Sequence, residues 1–177
     1  MTETPSFPTA AAAETRNHTA ALKRILRFLP APVGIVTSVD PETDEPIGLA
    51  MSAIMPVSLD PCAVAIAINR AGSAHAGIVS SGRFCINLLD PATGEHLGPF
   101  GDPARRAERF KLPGWRRHNG VMLLDAAPAN IICAIAGHTA FGTHDVLIGD
   151  VREIHSSGMT TILGWADGAL GTLQPLP

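Results

Sequence analysis

The sequence predicts a mainly β domain, an antiparallel barrel with a few peripheral helices outside it. Three observations carry this expectation. Short runs rich in β-branched and other apolar residues recur along the 177 residues, bounded by Pro, Gly, Asp and Asn. Few stretches have helical spacing. The strands and helices also lack the βαβ alternation of a doubly wound parallel sheet.

Residues 1–12, rich in Pro, Thr and Ala, are expected to form a flexible tail, with one domain over 13–177. A helix is expected from Ala13 to about Leu29, because Leu22, Ile25, Leu26 and Leu29 share one face and Pro30 ends it. "VGIVTSV" (33–39) and "IGLAMSAI" (47–54) flank the turn cluster "DPETDEP" and form a hairpin. "CAVAIAI" (62–68) and "RFCINLL" (83–89) are two more strands, joined by a loop and a short helix. Residues 92–112 read as more helical, followed by a loop around Trp115. Strands follow at 129–141, 145–155 and 160–165.

Bulk properties narrow the function. Thirteen basic and sixteen acidic residues give a formal net charge of −3, with no long basic run, which argues against nucleic acid as the partner. No window approaches the roughly 18 consecutive apolar residues of a membrane helix. The first residues lack the charged and apolar regions of a secretory signal. Cys62, Cys85 and Cys133 each sit in an apolar run and read as buried thiols in a reducing, cytoplasmic setting. The basic cluster Arg105, Arg106, Arg109, Lys111, Arg116 and Arg117 is either a solvated face or a patch for an anionic cofactor.

Motifs exclude several chemistries. Neither a P-loop nor a G-x-G-x-x-G fingerprint occurs. Among seven histidines there is no H-E-x-x-H, and His138 with His144 is the one pair the sequence places to converge on a metal; no metal is assigned. Ser73 and His75 lie only two residues apart, without the strained elbow of a serine hydrolase.

What remains is "GLAMSAIMPVSLDPCAVAIAINRAGSAH" (48–75). A strand ends in Ala50, Met51, Ser52, Ala53 and Ile54, a bend follows at Ser58–Pro61, and a second strand runs into Asn69, Arg70, Ser73 and His75. Small residues at a strand end admit a flat ligand against the backbone, and a guanidinium, a hydroxyl and N–H groups before a helix suit a phosphate. A plain hairpin with a polar connection is the competing reading. "AFGTHDVLIGDV" (140–151) poses the same choice, since His144 stands in a glycine turn at the mouth of an apolar strand.

The ordered set resembles the flavin reductase family, NAD(P)H:flavin oxidoreductases with an FMN-binding split barrel. "GLAMSAIMPVSLDP", "CAVAIAINR" and "AGSAH" are similar to the family's G-M-T-A-S-S-F-x-S-V-S-L-D-P-P, apolar strand and N-R-S-S-x-T-H-like loop. "GRFCINLL", "RAERF", "GTHDVLIGDV" and "LGWADGALGTL" follow in the family's order, so the likeness runs from about residue 20 to 173. The resemblance implies an antiparallel split β-barrel and reduction of FMN or FAD by hydride transfer from NADH or NADPH. Reduced flavin would pass to a partner monooxygenase, and the enzyme would be a homodimer.

It also implies flavin contacts from Ser52, Ser58, Asn69, Arg70, Ser73 and His75, from the backbone of Ala50, Met51, Ala53 and Ile54, and from the ring of Trp165. His144 would position nicotinamide against flavin. Arg83 would be a strand-edge cation or a second phosphate partner, and Asn87 structural. Departures stand out: Ala50, Ala53 and Ala74 replace common hydroxyls, Pro56 replaces a serine, and Leu170 takes an aromatic position. Each lost hydroxyl forfeits about 0.5–1.5 kcal/mol of binding, which leaves open a dissociating flavin substrate, a tightly bound flavin, or a pocket that takes another ligand. Two other functions fit such a barrel: reduction of a different acceptor, such as a corrinoid or quinone, and non-enzymatic flavin or haem binding.

Overall fold

The computed structural model describes residues 9–158 and 161–173, with side chains from His18 onward. Helix α1 (Thr9–Leu26) leads into the two-residue strand β1 (Ala31–Pro32) and then β2 (Gly34–Val39) and β3 (Pro46–Met51). Next come β4 (Ile54–Leu59), β5 (Cys62–Asn69), α2 (His75–Ser81) and β6 (Arg83–Leu88). The excursion at 92–112 is made of short pieces. Helix α3 (Leu97–Gly101) is flanked by 3-10 turns at Gly94–His96 and Pro103–Glu108. The chain ends in β7 (Trp115–His118), β8 (Val121–Leu124), β9 (Ala129–Phe141), β10 (His144–Ser156), β11 (Leu163–Ala166) and β12 (Ala169–Thr172).

Seven antiparallel strands form one sheet in the order β3-β2-β6-β9-β10-β5-β4. Its two edge strands, β3 and β4, are consecutive in the chain and joined only by Ser52 and Ala53. In a flat sheet of this width the edges would lie about 29 Å apart. Three Cα–Cα steps from Met51 to Ile54 reach about 11 Å. The sheet must therefore curl until its edges meet, and a Cβ on Gly34 would lie 3.3 Å from Ile54 Cδ1 across the interior. No ladder joins β3 to β4, so the barrel is split at that seam. The mainly β split barrel expected from the sequence is the observed architecture.

Val36, Ile66, Ile68, Phe84, Ile86 and Leu147 fill the barrel, and Ala74 just before α2 and Ile78 within it join that core. A second cluster, including Val33, Ile35, Phe100, Leu124 and Leu163, packs the small sheet β1-β11-β12 and α3 onto the barrel. Asn87 is wholly buried and structural, as read from the sequence. Its Nδ2 donates to Ile35 O at 2.9 Å, and its Oδ1 accepts from Leu124 N at 2.8 Å and Asn130 Nδ2 at 2.9 Å. That network ties β2, β6, β8 and β9 together without an orphaned buried amide.

Several expectations need correction. Helix α1 starts at Thr9 rather than Ala13, so residues 9–12 of the expected tail are helical, and residues 1–8 lie outside the described residues. Leu22, Ile25, Leu26 and Leu29 face solvent rather than a core, because the strands close on themselves without enclosing this face. The run 47–54 is not one strand, since the seam breaks it at Ser52 and Ala53. Cys62 is exposed, while Cys85 and Cys133 are buried. Strands β1, β7, β8 and β12, and β4 beyond Ile54, lie where the sequence predicts no strand.

Candidate functional site

At one end of the barrel, β5 and β10 pair so that Asn69 stands opposite His144. The seam lies alongside, with Ala67 N donating to Ala53 O at 3.2 Å. Ser52, Ala53, Asn69, Arg70 and His144 are all exposed here, whereas Met51 points into the core. Met51 thus offers backbone only, and the small side chains beside it leave room for a flat ligand over the seam.

The loop after β5 is shaped by its own residues. Asn69 Oδ1 accepts from Ala71 N at 2.9 Å, and Gly72 N donates to Asn69 O at 2.9 Å. A Cβ on Gly72 would lie 2.9 Å from that same carbonyl, so the turn excludes a side chain there. Arg70 N donates to Thr143 O at 3.0 Å, and the Arg70 guanidinium donates to Gly142 O across the β9–β10 turn. His144 Nδ1 lies 2.9 Å from Thr143 Oγ1, which leaves Nε2 as the ring's other polar atom.

Beneath the exposed rim lies a residue the sequence reading did not assign. Asp145 is buried, and its Oδ2 sits 2.7 Å from His75 Nε2. Its Oδ1 has no hydrogen bond, and Arg70 Nε stands 4.0 Å away. His75 is therefore turned inward to a carboxylate, and Arg70 is partly neutralised by it. The available signal was the His-Asp pair at a strand mouth, with strand alternation sending the second residue inward.

The other expected contacts lie apart. Ser73 opens onto a polar cavity of about 170 Å³ with Gly48, Arg106, Arg109 and Phe110. Arg109 is spent on structure there, donating to Pro99 O, Gly48 O and Phe100 O. Burial, with Arg106 beside it, lowers its pKa. Ser58 is four positions further along β4 than Ile54, where its hydroxyl accepts from Asp60 N at 3.1 Å. Trp165 lines a larger, mainly apolar cavity of about 440 Å³ between β1, β11 and β12. The polar groups gather elsewhere, at the seam. Arg83 is the first residue of β6, an inner strand of the sheet, and donates to Asn119 O at 2.7 Å. His138 is opposite Leu147 in the ladder, three positions from His144, so that pair does not converge.

Residues 26–174 match the family model described as a flavin reductase like domain. The chain belongs to the flavin reductase family. It is 32% identical over 162 residues to the FMN reductase (NADH) RutF of Methylorubrum extorquens, covering 89% of this chain and 78% of that one. RutF of Cronobacter sakazakii is 32% identical over 151 residues, covering 83% and 88%. A putative flavin reductase from Haemophilus somnus superposes with a TM-score of 0.81 at 25% identity, over 87% of this chain and 98% of that one. A homolog of nitrilotriacetate monooxygenase component B from Mycobacterium thermoresistibile gives 0.80 at 25% identity, over 91% and 89%. This flavin reductase family member thus carries its small-residue seam and its His144 rim at one end of the barrel.

Proposed function

We propose that this chain is an NADH:flavin oxidoreductase that reduces FMN, with FAD and NADPH as the alternatives to be tested, and releases reduced flavin to a separate monooxygenase. The observation that supports this most is the seam itself. Small, exposed Ser52 and Ala53 lie beside Asn69, Arg70 and His144, in a chain whose relatives are named FMN reductases.

The residues present fit a flavin. The backbone from Ala50 to Ile54 and the amide of Asn69 are placed to read a flat ring edge. Ser73, with Arg106 at the polar cavity, suits a phosphate. Ser58, His75 and Trp165 join this reading in supporting roles: Ser58 shapes the turn after β4, His75 holds Asp145, and Trp165 offers a ring at the neighbouring cavity.

Bound flavin supplies an acceptor for the nicotinamide hydride. No protein nucleophile is required, and the chain's task is to hold two rings at about 3–3.5 Å. His144, braced by Thr143, offers Nε2 as a positioning group at the rim. Asp145 fixes His75 below, and its charge orients Arg70. The alanines at positions 50, 53 and 74 remove hydroxyl contacts, which favours release over retention.

A homodimer belongs to the same proposal, supported by the exposed apolar residues Leu22, Ile25, Leu26, Phe28 and Leu29 of α1 and its following turn. Among the described residues no helix is long and apolar enough to cross a membrane, and a cytoplasmic site of action is proposed with it.

Steady-state oxidation of NADH and NADPH by the purified protein, with and without added FMN or FAD, tests the function. Turnover that depends on added flavin is expected. No turnover with either nucleotide, in protein that nevertheless binds a chromophore, would leave a binding protein instead. His144→Ala should lose most turnover with the fold intact, and unchanged turnover in that variant would remove its positioning role.

A further inference from the structure

A second cluster lies far from the seam. His118 ends β7, and Glu153 and His155 stand two apart on β10, hence on the same face of that strand. His118 Nε2 is 2.9 Å from Glu153 Oε2, and His155 Nε2 is 2.7 Å from Glu153 Oε1. One ligand atom from each residue falls within 4.8 Å of the others. We propose that His118, Glu153 and His155 form a divalent transition-metal site, filled best by Zn²⁺, that clamps the β7–β8 hairpin to β10.

Two features distinguish this cluster from an ordinary ion pair. The first is His155 Nε2, which is buried and makes no hydrogen bond despite its approach to the carboxylate. A nitrogen sealed from water and held only by a poorly aligned contact to the carboxylate is incompletely satisfied, and a lone pair directed at a metal completes it. The second is His118 Nε2, which also has Asn119 Nδ2 at 3.1 Å. A ring nitrogen has one in-plane position, so it cannot both donate to Glu153 and accept from the Asn119 amide.

The donor set suits the metal. Two imidazoles and one carboxylate are borderline ligands that favour Zn²⁺ and its neighbours over Ca²⁺ or Mg²⁺. Zinc bonds of about 2.0–2.2 Å put donors about 3.3 Å apart in a tetrahedral shell. The contacts of 2.7 and 2.9 Å run to the two different oxygens of Glu153, so binding requires a modest rearrangement of donors that already lie within 4.8 Å of one another.

The supports are fixed. Asn119 and Gly120 make the tight β7–β8 turn with φ of 48° and 77°, and Arg83 anchors it through Asn119 O. Glu153 and His155 are paired to Ile132 and Asn130 in the β9–β10 ladder. Three protein ligands leave a position for water. Glu153 is nine residues along β10 from His144, up to about 30 Å away, so the metal should leave flavin turnover unchanged.

The test is titration of the chelator-stripped full chain with Co²⁺, followed by visible absorption, with Zn²⁺ as competitor. One equivalent should give a d–d band that Zn²⁺ abolishes. Affinity should fall at least about tenfold in His118→Ala and His155→Ala. The near-isosteric Glu153→Gln should also weaken binding while keeping the fold, checked by circular dichroism and by retained flavin-dependent NADH oxidation. X-ray absorption of the zinc-loaded wild type should show two imidazoles. Absence of the band, a band unchanged in His155→Ala, or a zinc shell without two imidazoles would overturn the site.

Discussion

His75 Nε2 and Asp145 Oδ2 are 2.7 Å apart, and the pair links the start of α2 to the second residue of β10. Both lie beneath the rim formed by Asn69 and His144. Removing one member of a buried pair leaves the other uncompensated, at a cost of about 3–5 kcal/mol. His75→Ala should therefore destabilise more than the double variant His75→Ala/Asp145→Asn, in which the stranded charge is also gone. Urea unfolding of the two singles and the double closes the cycle. Strict additivity would show that the pair is not coupled.

The next prediction concerns the bend of the long β9–β10 ladder. Gly149 sits at a register shift, and a Cβ there would lie 2.5 Å from Phe84 Cζ and 2.8 Å from Cys133 Cβ. One atom is a wedged aromatic edge and the other belongs to the facing strand, so neither yields cheaply. Gly149→Ala should cost about 1–3 kcal/mol, read as a lowered urea midpoint. Gly137→Ala on the neighbouring strand meets open space and serves as the control.

The sequence showed much of this barrel because strands have a short-range signature. The runs at 33–39, 62–68, 83–89 and 129–141 are apolar and bounded by turn residues, and each became a strand. Strands β7, β8 and β12 are only four residues long; β7 and β12 carry Arg, His or Gly, and β8 is apolar at every position, so no alternation marks any of them. The helical spacing of Leu22, Ile25, Leu26 and Leu29 identified a helix but not what it faces. Burial depends on a partner surface that the local pattern does not contain. The candidate site divides in the same way. The seam residues and His144 were legible as small residues and a histidine at strand ends. Asp145 follows His144 directly in the sequence, but its contact with His75 joins residues 70 apart in the chain, which no local pattern shows. In the His118, Glu153 and His155 cluster only Glu153 and His155 are close in sequence, and tertiary pairing alone brings His118 of β7 to them.

Acid should weaken a specific turn. Asp90 is held below the ordinary carboxylate range, chiefly by the Thr93 hydroxyl, with Oδ1 also accepting from Thr93 N at 2.8 Å. A lowered folded pKa contributes stability that is present above the unfolded value near 4 and is lost as pH falls through the folded one. Thr93→Val removes the hydroxyl bond, worth about 1 kcal/mol. The variant should be less stable at pH 7 and lose less on going from pH 5 to pH 2. Parallel stability curves for the two proteins across that range would contradict the assignment.

Thiol reactivity should separate the three cysteines. Cys62 is exposed and donates to Leu59 O at 3.3 Å, in the turn between β4 and β5. Cys133 is buried, and its pKa is pushed up to about 12 by desolvation, with Asp150 adding to the effect. Burial raises the Cys85 thiol further, with Cys133 as the next cause. Since the thiolate is the nucleophile, both buried groups are shielded twice, by access and by protonation. Native protein should therefore release one equivalent of chromophore from a disulfide reagent at pH 8 and three in denaturant. Cys62→Ser should abolish the native equivalent while leaving two in denaturant. Rapid native modification of a second thiol would mean that the β6–β9 ladder opens far more readily than its buried, hydrogen-bonded strands imply.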